Sequence, residues 1–307
     1  MKVVVLGAGA VGAYYGGKLA RTGHEVTCYA RGANLAALRN RGLEIRASEG
    51  PLIVPLGATD KVDELEAADF AILAVKSYSL EAITPVVRHC ADLGTTIVPM
   101  LNGVETVPRL VAAGVGADRV IGGLTRISVV RVAPGVVLKT GALESVVVGE
   151  MDGRLTPRVE GIVSAFREAG AEARASEQIE LELWRKFAFL ATVAAGCGLA
   201  RAPVGPLRDR PLGRRLLERG LHEVVAVGRA RGIPFPADEV TRAMSLIDSL
   251  APGVKPSFLV DLEAGGQTEL DVLSGAVSRF AAEYGIETPV HDTAAAALQD
   301  SGLRTQD

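Results

Sequence analysis

A glycine cluster, Gly7-Ala8-Gly9-Ala10-Val11-Gly12, stands directly behind the apolar run Val3-Val4-Val5-Leu6. The spacing is G-x-G-x-x-G at a strand-to-helix junction, a pattern suited to the pyrophosphate of a dinucleotide. Gly7 permits the tight turn, Gly9 keeps a Cβ away from the approaching pyrophosphate, and Gly12 lets the helix pack closely on the strand. Ala8, Ala10 and Val11 complete a loop whose free N–H groups, at the positive end of the helix dipole, favour an anion.

A second strand ends Cys28-Tyr29-Ala30-Arg31. An NAD site usually carries an Asp or Glu there, bonded to the ribose 2′-hydroxyl. No carboxylate is present, and the Arg31 guanidinium can form a fork onto a 2′-phosphate, which points to NADPH/NADP+. The plainer alternative is a solvated surface arginine. Lys76 and Asn102-Gly103 follow two further apolar strands at their carboxyl ends, where ligands of open α/β sheets bind. At Lys76 an ammonium could reach a phosphate or ribose. At Asn102 an amide could hold a nicotinamide or a substrate carbonyl. Either residue could equally be an ordinary loop residue.

Hydride transfer to a carbonyl needs an acid that protonates the developing alkoxide. Lys186, in Leu183-Trp184-Arg185-Lys186-Phe187, opens an otherwise apolar helical stretch. Its stem could snorkel to solvent. Pointed into a cleft, desolvation would lower its pKa and make it a better donor near neutral pH. Ser257 and the run Gln267-Thr268-Glu269-Leu270-Asp271 bring further polar groups, although acids at the start of a helix also simply complement its dipole. His24, His89, His222 and His291 are scattered without ligand spacing, so no metal is expected. His291 with Asp292 is a weaker candidate for acid–base work, since helix capping after Thr288-Pro289 explains the Asp more simply.

These residues need elements to hold them. Residues 2–6, 25–29, 70–75 and 95–100 read as buried strands, and residues 10–21 and the stretches from about 80 and 104 read as helices, giving a βαβ alternation and a parallel, doubly wound sheet. Residues 43–46 and 52–56 read as an antiparallel pair turning at Glu49-Gly50. Residues 119–148 are expected to add mostly antiparallel strands to the sheet edge, 155–169 a helix and 171–175 a last strand. From residue 180 onward only helical periodicity remains, at 180–200, 212–231, 237–249 and 270–284. The expected fold is therefore α/β, with an N-terminal Rossmann domain over residues 1–176 and an all-helical C-terminal domain over 177–307.

The bulk properties narrow the function classes. The 307 residues suffice for two domains, and 48% hydrophobic with 22% charged residues suits a globular protein. A net charge of −3 favours neither nucleic acid nor an anionic membrane surface. Cys28, Cys90 and Cys197 form no paired framework, and no leader pattern precedes the first strand, so a cytoplasmic setting is expected. The apolar run 187–200 is shorter than the roughly 20 residues of a membrane span. The apolar helical half could pack a homodimer or only face its own core.

Taken together, the glycine loop, Arg31, Val75-Lys76, Asn102-Gly103, Leu183-Trp184-Arg185-Lys186, Lys255-Pro256-Ser257 and Thr268-Glu269-Leu270-Asp271 resemble the 2-dehydropantoate 2-reductase (ketopantoate reductase) family over nearly the whole chain. The resemblance implies NADPH-dependent reduction of 2-dehydropantoate, a small 2-keto acid, to pantoate in pantothenate biosynthesis. It implies that Lys186 donates the proton to the keto oxygen and that Glu269 binds the substrate hydroxyl. Asn102 would position substrate and nicotinamide, Ser257 the substrate carboxylate, Arg31 the 2′-phosphate, and Lys76 would lie beside the cofactor. The chain departs from the family at Leu190 and Ala194, where amides usually follow the lysine on the same helix face. Arg126 and Arg131 are possible replacement partners for the carboxylate. The departure leaves open a more apolar 2-keto acid substrate, or a non-catalytic NADPH-binding sensor.

Overall fold

The computed structural model describes residues 1–48 and 50–299. Glu49, half of the expected turn between the two antiparallel strands, lies outside the described residues. The described residues form two compact units, one of Met1–Leu101 with Glu105–Glu182, the other of Asn102–Val104 with residues 183–299.

In chain order the first unit comprises β1 (Lys2–Leu6), α1 (Ala10–Arg21), β2 (Glu25–Tyr29), α2 (Gly32–Arg41), β3 (Leu43–Ala47), β4 (Gly50–Val54), β5 (Gly57–Thr59), β6 (Phe70–Leu73), α3 (Leu80–Asp92), β7 (Thr96–Pro99), α4 (Thr106–Ala112), β8 (Gly122–Ala133), β9 (Val136–Gly149), α5 (Pro157–Glu168) and β10 (Glu172–Ala175). Five parallel strands form its main sheet in the order β5-β2-β1-β6-β7. The strand order turns back between β1 and β6, which puts the ligand-binding end of a Rossmann fold at the loops that follow those two strands.

The wholly apolar β1 is explained by its two faces. Val3 and Val5 join Phe70, Ile72 and Val98 in a core with Tyr15 and Leu19 of α1 and Phe166 of α5. Val4 and Leu6 point the other way, into a core with Ala71, Leu73, Ile97, Val87 of α3 and Leu110 of α4. Side chains alternate across a strand, so a strand covered on both faces has no polar position to spare.

The segment 119–148 differs from expectation. It joins the edge of the first sheet through a parallel bridge from Val120 to Ile97 of β7, and beyond that builds a second sheet in the order β10-β9-β3-β4, with β8 pairing antiparallel to β9. β9 runs parallel to β3 and to β10. Val137, Val146 and Val148 of β9 carry their side chains into the same core as Val3 and Phe166. The expected pairing of β3 with β4 is present and antiparallel. After β9, Thr156 starts α5: its hydroxyl oxygen accepts from the Val159 N–H at 3.5 Å and donates to Glu150 at 2.6 Å. Replacing Thr156 by Ala should cost about 1 kcal/mol of stability, read as a lower urea midpoint with an unchanged denaturant slope.

The second unit is helical, and no strand occurs in it among the described residues. Its helices are α6 (Ile179–Ala200), α7 (Val204–Arg208), α8 (Pro211–Ala230), α9 (Glu239–Ser249), α10 (Ser257–Glu263), α11 (Ala276–Glu283) and α12 (Pro289–Ala297), with a π-helical turn (Asp271–Gly275) leading into α11. The division between units falls inside α6, after Glu182, rather than at Ser176. Glu182 is tied to Arg174 at 2.7 Å and to Arg126 at 3.5 Å, both in the first unit. By length and composition α6 could cross a bilayer, and most of it is buried inside the protein. Trp184 of α6 meets Phe187 edge-on at 5.4 Å and Phe280 of α11 at 5.8 Å, which anchors the helix beside Lys186.

Candidate active site

The glycine loop has the geometry that a dinucleotide requires. Gly7 has φ +103°, open to glycine but strained for other residues. A Cβ on Gly12 would lie 2.2 Å from the Gly7 carbonyl oxygen, so loop and helix can approach only without one. At Gly9 a Cβ would meet only the Ala74 carbonyl oxygen, at 3.8 Å. The protein's own packing does not demand glycine there, whereas close approach by a pyrophosphate does. No acidic residue stands in the first turn of α1 and no side chain caps it, so no carboxylate competes for the N–H groups around Ala10 and Val11. The residues present fit a nicotinamide dinucleotide.

Arg31 is the residue immediately before α2. Its guanidinium lies 5.5 Å from the Tyr29 ring centroid and donates to the Tyr29 hydroxyl at 3.1 Å. Three residues on stands Asn34, which the sequence reading missed. Its buried amide donates to the Ala8 carbonyl at 2.8 Å, and its oxygen accepts from the Gly135 N–H at 2.9 Å. One side chain thus links the glycine loop, α2 and the β8–β9 turn. The signal was an amide in the first turn after the Arg31 strand end, too common a feature to single out without geometry. Lys76 is half-buried in the loop after β6 and precedes a short 3₁₀ turn, Ser77–Ser79.

In the second unit Asn102 and Glu269, 167 residues apart in sequence, are brought together. The Asn102 amide donates to the Glu269 carboxylate at 3.0 Å, and Glu269 is only 6% exposed. The π-helical turn follows immediately, with Gly275 N–H donating to the Leu270 carbonyl at 3.0 Å. A π-turn inside a helix is a frequent companion of functional sites. Within it, Ser274 lies 3.2 Å from Nδ1 of His291, whose Nε2 lies 3.2 Å from the Gly220 carbonyl oxygen. A carbonyl only accepts, so Nε2 carries the proton and Nδ1 accepts from the Ser274 hydroxyl. Glu223 of α8 accepts from the N–H groups of Val290 and His291 at 2.9 and 3.1 Å, fixing the start of α12. His291 has no exposed surface, so it supports the turn behind Glu269 and cannot meet a substrate.

Lys186 is half-buried on α6 between the buried Trp184 and Phe187. Leu190, one helical turn on, is half-buried, and Ala194 is buried. Ser257 is the exposed first residue of α10. Of the two arginines considered for the substrate carboxylate, Arg126 is engaged by Glu182, and Arg131 lines a recess together with Arg31.

Residues 3–153 match the family described as ketopantoate reductase PanE/ApbA, and residues 178–301 match ketopantoate reductase PanE/ApbA C terminal. The chain is 32% identical over 304 residues to the uncharacterized oxidoreductase YkpB of Bacillus subtilis (strain 168), covering 97% of this chain and 98% of that protein. It is 32% identical over 298 residues to the 2-dehydropantoate 2-reductase of Halobacterium salinarum, covering 96% and 97%. Among solved structures, a PanE/ApbA family ketopantoate reductase from Ralstonia eutropha JMP134 superposes with a TM-score of 0.88 at 27% identity, over 97% of each chain. With matches to both halves of the family, carried on a Rossmann unit and a helical unit, this chain belongs to the ketopantoate reductases and is an oxidoreductase of the nicotinamide-dependent kind.

Proposed function

We propose that the protein reduces 2-dehydropantoate to pantoate with NADPH, a step of pantothenate biosynthesis in the cytoplasm. The observation that carries this reading is the hydrogen bond between Asn102 and the buried Glu269. An amide that donates to one carboxylate oxygen fixes the orientation of that carboxylate and leaves its other lone pairs to accept a hydroxyl proton. Substrate hydroxyl and keto groups bound there would be held in one orientation, which supplies much of the rate advantage of an enzyme. Lys186 donates the proton that the keto oxygen takes up as it becomes an alkoxide, and Ser257 donates a hydrogen bond to the substrate carboxylate. The glycine loop holds the pyrophosphate, Arg31 holds the 2′-phosphate, and Lys76 lies beside the cofactor. Bound NADPH supplies the hydride.

A second reading, reduction of a more apolar branched 2-keto acid, is favoured by Leu190 and Ala194. A half-buried leucine one turn from Lys186 offers an apolar surface where an amide would offer a donor. The test is cofactor oxidation across a panel of 2-keto acids with NADPH and with NADH. The proposal expects 2-dehydropantoate to have the highest kcat/KM. A better branched acid lacking the hydroxyl would replace it with the second reading, and tight NADPH binding without turnover of any acid would make the protein a sensor. If 2-dehydropantoate is the substrate, Leu190→Asn should raise its kcat/KM about tenfold or more, the scale of one hydrogen bond to a charged group. An unchanged value would remove this position from specificity.

A further inference from the structure

We propose that Arg131 is the second arm of an arginine clamp on the 2′-phosphate of the cofactor. The proposal rests on the NADPH reading and extends it to a residue from outside the strand–helix units that usually bind the cofactor. The recess beside Arg31 measures about 420 Å³ and is lined by Arg31 and Asn34 from the start of α2 and by Arg131 and Pro134 from the β8–β9 hairpin. Arg31 and Arg131 are both exposed side chains lining one recess, and an anion between their guanidiniums would offset the repulsion of two like charges. Among the described residues no carboxylate pairs with either, and Arg31 donates to the Tyr29 hydroxyl. A phosphomonoester carries about two negative charges and three acceptor oxygens, enough for two guanidinium forks from different directions.

The turn of the hairpin that carries Arg131 is fastened to its surroundings. It is tied to α2 by the Asn34–Gly135 bond and by Arg41, which donates to the Pro134 carbonyl at 3.3 Å. It is fastened to β3 by the Glu44 N–H, which donates to the Gly135 carbonyl at 2.8 Å. Gly135 has φ +72°, and a Cβ there would come 2.9 Å from Ala37, so α2 and the turn lie in close contact. Arg131 pairs with Val137, and the register then shifts before Ala133 pairs with Val136. A bulge of this kind re-aims side chains beside binding sites. Asn34 joins this hairpin to the glycine loop through Ala8, so the recess and the pyrophosphate site are parts of one assembly.

The experiment measures Kd by calorimetry for NADPH, NADH, 2′,5′-ADP and 5′-AMP on the full chain and on Arg31→Ala, Arg131→Ala and Arg131→Lys. Arg131→Ala is expected to weaken NADPH and 2′,5′-ADP about ten- to a hundredfold while leaving NADH and 5′-AMP within about twofold, the scale of one charge-assisted contact. Arg131→Lys should recover part of the loss, because it restores the charge without the fork. Equal weakening of all four ligands would assign Arg131 a structural role, and no weakening at all would remove it from the site. Either result overturns the clamp while wild-type preference for NADPH and a selective effect of Arg31→Ala leave the NADPH reading intact. A wild type that binds NADH as tightly as NADPH would overturn both.

Discussion

Replacing Lys186 by Ala should lower kcat about a hundred- to ten-thousandfold, the range spanned by removal of a positioned general acid. NADPH affinity should stay within about twofold of wild type, because the glycine loop and Arg31 belong to the first unit and Lys186 to the second. The side chain sits on α6 between Trp184 and Phe187, which are 4% and 1% exposed, so the helix around it is held by packing that Ala does not disturb. Lys186→Arg separates two roles that Ala removes together. An arginine keeps the positive charge and cannot give up a proton near neutral pH. If Lys186 donates the proton, Arg should be nearly as impaired in kcat as Ala. If it only neutralises the alkoxide electrostatically, Arg should recover most of the rate. Steady-state kinetics of both variants, with NADPH Kd measured separately, decides the matter, and full activity in Lys186→Ala would take the residue out of the mechanism.

His291→Gln should flatten the acid limb of the stability curve. Burial pushes the His291 imidazole down from 6.5 to about 4. The folded protein therefore binds fewer protons here than the unfolded chain, and stability rises with pH. This contribution is complete above pH 6.5 and is lost as pH falls toward about 4, where the cost of holding the ring neutral reaches about 3 kcal/mol. Burial pushes the Glu223 carboxyl up, which acts in the opposite sense: the folded state takes up that proton more readily as pH falls. Glu223 bonds to backbone N–H groups, so its contribution is common to wild type and variant and cancels in the difference. Gln retains one donor and one acceptor for the Gly220 carbonyl and the Ser274 hydroxyl. Urea unfolding at pH 7.5 and at pH 5 should show wild type losing more stability than the variant. Parallel losses would mean that the ring titrates normally.

The features legible in the sequence are those encoded locally. The β1 run and the glycine loop fall within twelve consecutive residues, and α1 ends at the expected residue, Arg21. The long helices of the second unit announce themselves by periodicity. The second sheet does not, because β3 pairs with β9 across more than 90 residues and no local pattern records that partnership. Helix α2 escaped notice because its sequence, GANLAALRNR, has a narrow apolar stripe. With β9 and α2 unplaced, Asn34 could not be joined to Gly135, nor Arg131 brought beside Arg31. The Asn102–Glu269 bond is a long-range contact of the same kind: the strand end offered Asn102 and the family motif gave Glu269 its role, but neither recorded that the two residues meet.

Strand β1 has a consequence for how the first unit comes apart. Its five residues serve as a party wall, with Val3 and Val5 in one core and Val4 and Leu6 in the other. Loss of either core would strip one face of this strand and leave apolar side chains in water. A slip of one residue in its pairing with β2 or β6 would exchange the two sets of side chains between cores of different shape. The two layers are therefore expected to come apart together, because neither core can be lost without stripping a face of the strand that leads into the glycine loop.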